Sequence, residues 1–235
     1  MSIMPGAVHR AQTQAVIAAL FDDAHDISVA VGVRDPRAPQ PPTLADEAAH
    51  LRQALEPRQR EFAAGRAAAR DAMAQLGLDP MAIPAAADRA PLWPQGVRGS
   101  ISHSNSLCAA VLTRDAASLG LDIEADMPLD ADLLSTICSD HERARIAGPD
   151  QLWLAKLIFS AKEASYKAQY PLTQMLFGFD HLDVALDLPG RAFTATFLKP
   201  AGDFVAGDKL PGRFDQIQGH LVTAAWADKS LFKGA

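Results

Sequence analysis

Two stretches of this chain carry side chains whose types and spacing can do chemistry. In Leu119-Gly120-Leu121-Asp122-Ile123-Glu124 the period of a β-strand puts Leu119, Leu121 and Ile123 on one face and Gly120, Asp122 and Glu124 on the other. The two carboxylates then point the same way, roughly 7 Å apart at the backbone, with Gly120 expected to leave open space beside them. Side by side they raise one another's pKa, so a cation is expected between them. Oxygen-only donors with no His or Cys nearby suit hard Mg²⁺ or Mn²⁺ better than zinc, and such an ion takes phosphate oxygens as further ligands. The same pattern also describes a solvent-facing edge strand with two acids. The second stretch is Phe159-Ser160-Ala161-Lys162-Glu163-Ala164-Ser165-Tyr166-Lys167-Ala168. At about 100° per residue, Leu154, Leu157, Ile158, Ala161, Ser165 and Ala168 share one narrow apolar stripe. Glu163 lies opposite, flanked by Lys156, Ser160 and Lys167, with Lys162 to one side. Read alone, this is a charged helix face with an i,i+4 pair worth a few tenths of a kcal/mol.

Basic residues upstream supply the other half of an anion site. Arg66 and Arg70 share a helix face and Arg58 lies about 80° around from Arg66. Arg89 sits in a loop, and Ser102-His103-Ser104 closes a strand. Guanidinium forks match phosphate oxygens, and a histidine between hydroxyls can donate to an anion or be satisfied structurally. An acidic metal cradle, a helical Glu among lysines and a basic rim together describe a device for moving a phosphoryl-linked group. The net charge of −6 argues against a general nucleic-acid binder, which needs a basic stripe to replace counterions.

These residues need scaffolding, and the chain has the material for it. Its 235 residues, 49% of them hydrophobic, suffice for one large domain or two smaller ones. No run reaches a membrane-spanning length, and Met1 to Arg10 lacks the plan of a signal peptide, so a cytoplasmic address is expected. Cys108 and Cys138 lack zinc-type spacing and read as buried thiols. Helices are expected at 11–20, from Thr43 toward Leu55, from Pro57 to Gly77, at 129–137 and 140–147, and at 151–170, with Asp150 as cap and Pro171 beyond the end. Strands are expected at 27–33, 99–104, 107–113 and 118–124, the last three as an antiparallel meander, and at 180–187, 192–198 and 218–226. The loop Arg89-Ala90-Pro91-Leu92-Trp93-Pro94 is expected to be held by its tryptophan. Helices followed by three strands thus occur twice, which suggests two similar α+β halves, residues 1–117 and 118–235.

Gly99-Ser100-Ile101-Ser102-His103, Gly120-Leu121-Asp122-Ile123-Glu124 and the Phe159 to Lys167 stretch, in this order and spacing, resemble the motifs of the Sfp-type 4′-phosphopantetheinyl transferases. The enterobactin synthase component D branch is the nearest in pattern. It also tends to carry the Arg58 to Arg66 stretch and the Arg89 to Pro94 loop, although that branch usually has cysteine where this chain has Ser104. The resemblance covers about residues 56 to 180. It implies an α+β fold of two pseudo-symmetric halves, each with helices on a small, mainly antiparallel sheet, with coenzyme A in the cleft between them. It further implies Mg²⁺, with Mn²⁺ the other candidate, held by Asp122, Glu124 and Glu163. Arg58, Arg66, Arg89, Ser102, His103, Lys162 and Lys167 would contact coenzyme A, and Glu163 and Lys167 would be catalytic. The implied reaction moves 4′-phosphopantetheine to a serine of an apo acyl or peptidyl carrier protein and releases 3′,5′-ADP. A monomer with no membrane span and no nucleic-acid partner is expected, with carrier docking around Leu172, Met175, Leu176 and Phe177. The alternative is a catalytically silent coenzyme A or nucleotide-binding module, which would have lost part of the acidic set. A different Mg²⁺ phosphotransferase would want a Walker-type loop, and the chain has none.

Overall fold

The computed structural model describes residues 5–22, 27–48 and 55–228. The chain forms two compact units, Met1–Asp115 and Ala116–Ala235, both of mixed helix and antiparallel sheet. In the first, α1 (Pro5–Asp22), β1 (Ala30–Arg34), α2 (Ala45–Ala48), α3 (Glu56–Gln75), β2 (Arg98–His103) and β3 (Cys108–Thr113) follow one another. The sheet order is β1-β3-β2, antiparallel throughout. The helix expected from Thr43 toward Leu55 is present at 45–48, and residues 49–54 of it lie outside the described residues.

Helix α3 starts with Pro57 in its first turn. It stops at Gly77, whose φ of 68° is the left-handed conformation that ends a helix without steric cost. Leu78 N and Gly77 N then satisfy the carbonyls of Met73 and Ala74. Its buried side is mostly small, with Ala64, Gly65, Ala67, Ala68, Ala69 and Ala72 beside the larger Arg66 and Met73, so helix and sheet meet at main-chain distance. A Cβ on Gly32 of β1 would lie 1.8 Å from Ala68 O. Trp93 does anchor its loop: its indole covers Gly99, where a Cβ would come within 2.8 Å of the ring.

The second unit holds β4 (Ser118–Ala125), α4 (Leu134–Ile137), α5 (Asp140–Arg145), α6 (Gln151–Thr173), β5 (Leu182–Asp187), β6 (Ala192–Phe197), β7 (Lys209–Ile217) and β8 (His220–Ala227). The sheet order is β4-β8-β7-β6-β5. Four expectations are corrected here. First, β4 does not extend a meander with β2 and β3. It pairs with β8 over eight positions, Ser118↔Ala227 to Ala125↔His220. Second, the sheet has a strand, β7, between the expected ones at 192–198 and 218–226, in a stretch whose pattern Pro211 and Gly212 interrupt. Pro211 precedes the first β7 residue paired to β8 (Gly212↔Ala225), and Phe193, opposite Gly212 on β6, fills the space of the missing side chain, its ring 2.1 Å from where a Cβ would stand. Third, Gln218 and Gly219, with φ of 52° and 75°, form the two-residue β7–β8 turn and not the start of a strand. Fourth, α6 runs through Pro171 to Thr173. Proline this close to the end removes one helix hydrogen bond, and Gln174 N closes the last turn on Tyr170 O at 2.9 Å.

Ser139 and Glu142 form the reciprocal cap that starts α5, as Ser139-Asp140 suggested. The core of this unit gathers the apolar side of α6 with Phe193, Phe197, Phe204 and Leu210 of the sheet side.

Candidate active site

The site of the second unit is set by one close approach. A Cβ on Gly120 would lie 1.9 Å from Ala164 O and 2.7 Å from Ala168 N, so α6 crosses β4 with backbone against backbone. The open space expected beside Gly120 is therefore filled by the helix itself. Asp122 and Glu124, on the same face of β4, meet the α6 residues at 156, 160, 163 and 167, whose spacing of four, three and four is one helical face.

Asp122 is buried. Its Oδ1 accepts from Lys167 Nζ at 2.7 Å and its Oδ2 from Ser160 Oγ at 2.8 Å. Lys167 also donates to Leu121 O at 3.1 Å. Ser160 Oγ is 2.8 Å from the hydroxyl of Thr223, which is the cross-strand neighbour of Asp122. Glu124 Oε2 accepts from Lys156 Nζ at 2.6 Å. Burial pushes the Glu163 carboxyl above the ordinary carboxylate range, and the charge of Asp122 and, less strongly, of Glu124 adds to this, against the pull of Lys167. The three carboxylates thus act on one another electrostatically. Among the described residues no three His, Cys, Asp or Glu side chains are gathered tightly enough to hold a metal by themselves. The donor chemistry nevertheless fits a hard divalent ion bound by one or two carboxylates and completed by phosphate oxygens, and three carboxylates faced by the two lysines Lys156 and Lys167 leave negative charge that such an ion would neutralise.

Glu163 also borders a cavity of about 160 Å³ lined by Lys162, Tyr166, Phe177, Gly178, Phe179 and Leu182. Tyr166 meets Phe177 edge-on at 5.4 Å, and Phe177 stacks on His181 at 4.6 Å. Next to it on the chain, Leu176 is 73% exposed and Met175 39%, whereas Leu172 and Phe177 pack against the core.

Lys162 has a different environment from the one its helical position suggested. It is buried, and its ammonium donates to Glu142 Oε2 at 2.8 Å, Ile137 O at 2.8 Å and Phe179 O at 3.0 Å. All three of its hydrogens have acceptors inside the protein, so as placed here it ties α4, α5 and the chain before β5 to α6. Glu142, itself fully buried, further accepts Ser139 N and Val184 N at 2.8 Å each. Sequence reasoning missed Glu142. The available signal was the Ser139 to Glu142 spacing of a capping box.

In the first unit the structure brings Arg58 and His103 together, while Arg66 is held elsewhere on the same helix. Arg58 Nη1 lies 3.0 Å from His103 Nε2 and 3.3 Å from Glu61 Oε2. Arg66 is buried over the Phe62 ring and donates to Ile83 O at 2.7 Å. Its pKa falls to about 10, mainly through burial and, to a lesser degree, through the charges of Arg58 and Arg70, against the pull of Glu47. Ser102 is buried in β2. Arg89 is exposed, with φ of 73°, in a loop closed by the Ala85–Pro91 bridge. Glu61, which faces both Arg58 and His103, had no sequence signal.

Residues 46–113 match the family model of the 4′-phosphopantetheinyl transferase N-terminal domain, and residues 118–223 that of the 4′-phosphopantetheinyl transferase superfamily. The chain is 41% identical to the 4′-phosphopantetheinyl transferase Svp of Streptomyces mobaraensis over 189 residues, 76% of either chain. It is 32% identical to PptT of Mycobacterium tuberculosis over 209 residues, 85% of this chain and 91% of that one. Enterobactin synthase component D of Escherichia coli K12 is 36% identical over 125 residues, 51% of this chain and 59% of that one. With two family models in sequence and relatives matched over most of their length, the chain belongs to the 4′-phosphopantetheinyl transferase superfamily and is a transferase that modifies carrier proteins.

Proposed function

We propose that Glu163 is the general base and Lys167 the leaving-group stabiliser of this transfer, acting on coenzyme A and an apo carrier protein. The carrier serine oxygen forms a bond to the β-phosphorus of the coenzyme A diphosphate, the bond from that phosphorus to the bridging oxygen breaks, and 3′,5′-ADP departs. The serine proton goes to a carboxylate of Glu163. The observation that carries this reading is the placement of Glu163 on the α6 face it shares with Ser160 and Lys167, both bonded to Asp122, and at the rim of the cavity. Burial there pushes its carboxyl above the ordinary range, which suits a base, since a base works best when its pKa approaches the working pH. Lys167, anchored on Asp122 and Leu121, offers a fixed positive charge for the developing phosphate.

A divalent metal belongs to the family's chemistry, and Asp122, Glu124 and Glu163 are the residues that would hold it, as Mg²⁺ or Mn²⁺. When bound, such an ion neutralises charge on the diphosphate. Arg58, Arg66, Arg89, Ser102 and His103 would bind phosphates of coenzyme A, a reading supported by the exposed Arg58–His103 pair. The cavity beside Glu163, with apolar walls and a polar edge, suits the pantetheine arm. We read the protein as a cytoplasmic monomer. By its likeness to enterobactin synthase component D, carriers of siderophore or other secondary-metabolite synthesis are its candidate acceptors. Incubation with coenzyme A, Mg²⁺ and apo carriers, followed by mass spectrometry, tests this. Glu163→Gln should slow transfer by about 10²- to 10⁴-fold; transfer at the wild-type rate would remove Glu163 from its role.

A further inference from the structure

Lys156 lies outside the Lys162 to Lys167 motif, yet its ammonium is 2.6 Å from Glu124 Oε2. The side chains are 15% and 27% exposed, and the ammonium also lies 5.2 Å from the Phe159 ring centroid. Helix α6 therefore lays one lysine on each carboxylate of β4, Lys167 on Asp122 and Lys156 on Glu124. The two lysines differ in what else they hold. Lys167 is also bonded to Leu121 O and acts on Glu163. Among the described residues the Lys156 ammonium bonds no main-chain carbonyl, and its one ionic partner is Glu124. A cation held by a single part-exposed carboxylate, on a flexible four-carbon stem, is easily exchanged for another.

We propose that Lys156 is a positioning residue, a resident counter-cation of Glu124 that a divalent ion displaces. The ion then binds weakly alone and firmly only with the coenzyme A diphosphate, whose phosphate oxygens give the released ammonium a new partner. This rests on the reading of Asp122, Glu124 and Glu163 as the metal site. It makes metal and coenzyme A binding cooperative, and by linkage each tightens the other by the same factor.

The test is a titration of the full chain with Mn²⁺, followed by the electron paramagnetic resonance signal of the free ion, with and without coenzyme A. Lys156→Met and Lys156→Gln should bind Mn²⁺ alone roughly fivefold more tightly than wild type, the equivalent of the about 1 kcal/mol that a part-exposed ion pair contributes. The gain in affinity on adding coenzyme A should shrink. Glu124→Gln should weaken Mn²⁺ binding in both conditions. A merely structural lysine would not tighten metal binding when removed. If both Lys156 variants unfold at the wild-type temperature and bind Mn²⁺ no more tightly, while Glu124→Gln still weakens it, the role of Lys156 is overturned and the metal site stands. Unaltered Mn²⁺ affinity in Glu124→Gln overturns the site itself.

Discussion

The two units share a frame and differ in a few charges. In each, a long helix crosses an edge strand at a glycine, Gly32 under Ala68 and Gly120 under Ala164, where a Cβ would come within 1.8 and 1.9 Å of the alanine carbonyl oxygen. Two residues past the glycine and three past the alanine, an ion pair joins strand to helix. It is Arg34 to Asp71 at 2.6 Å in the first unit and Asp122 to Lys167 at 2.7 Å in the second, with the signs exchanged. Two residues before the alanine a buried cation, Arg66 or Lys162, donates to main-chain carbonyls of other elements. In each unit a fully buried glutamate binds a helix cation and two backbone amides. Glu47 holds Arg70, Leu44 N and Ile83 N, and Glu142 holds Lys162, Ser139 N and Val184 N. Among the differences are the residue just before the alanine, buried Ala67 in one unit and Glu163 in the other, and the Glu124–Lys156 pair of the second unit, which has Pro36 at the matching chain position of the first. The reversed ion pair and the carboxylate at position 163 are what set the proposed reactive crossing apart from the structural one.

The sharpest way to break this likeness is at the buried glutamates. Lys162→Met leaves Glu142 charged and unpaired in the core and should cost about 3–5 kcal/mol, and Arg70→Met should do the same to Glu47. Urea unfolding would show both; a loss confined to one unit's variant would end the claim of a common frame. Next come the crossings. Gly32→Ala and Gly120→Ala each press a methyl group onto helix backbone and should cost roughly 1–3 kcal/mol. Only Gly120→Ala should also slow carrier labelling, because it moves Asp122 and Lys167. The exchanged ion pairs come third. Asp71→Asn should lower stability by about 1 kcal/mol and leave transfer alone, whereas Lys167→Met should cut kcat at least about tenfold; equal effects on transfer would mean that the two pairs do the same job.

The smallest effect concerns Glu163 and has a definite sign. Its carboxyl titrates above the ordinary range when folded, so in that window the folded chain binds more protons than the unfolded one. Stability therefore falls as pH rises through the window. Glu163→Gln should raise Tm near pH 7 by about 2 °C. The gain should fade as pH drops below the ordinary carboxylate range. The acid limb of wild-type kcat/KM should likewise lie above that range.

Much of this frame is visible in the residues themselves. Pro57 and Gly77 bound α3 because their backbone preferences act locally, and Asp122, Glu124 and Glu163 stand out because period-2 and period-3.6 patterns need no tertiary context. What was hidden depends on partners far along the chain. Leu119 to Ile123 fits either sheet equally well, and the choice of β8 over β3 is made by a strand a hundred residues away. Pro211 and Gly212 argue against β7 until Phe193 is known to cover the gap. Lys162 reads as a surface lysine until Glu142 arrives from α5 to meet it, and the space beside Gly120 reads as open until α6 occupies it.

The backbone contact at Gly120 also sets how the proposed catalytic groups keep their spacing. Asp122 and Glu163 each sit within two residues of a point where carbonyl and amide atoms of two elements touch, so their separation is gauged by peptide units. Repacking of leucines or phenylalanines deeper in the unit can loosen the fold long before it detunes that distance. Laboratory variants of this chain should therefore lose thermal tolerance readily while retaining turnover per folded molecule.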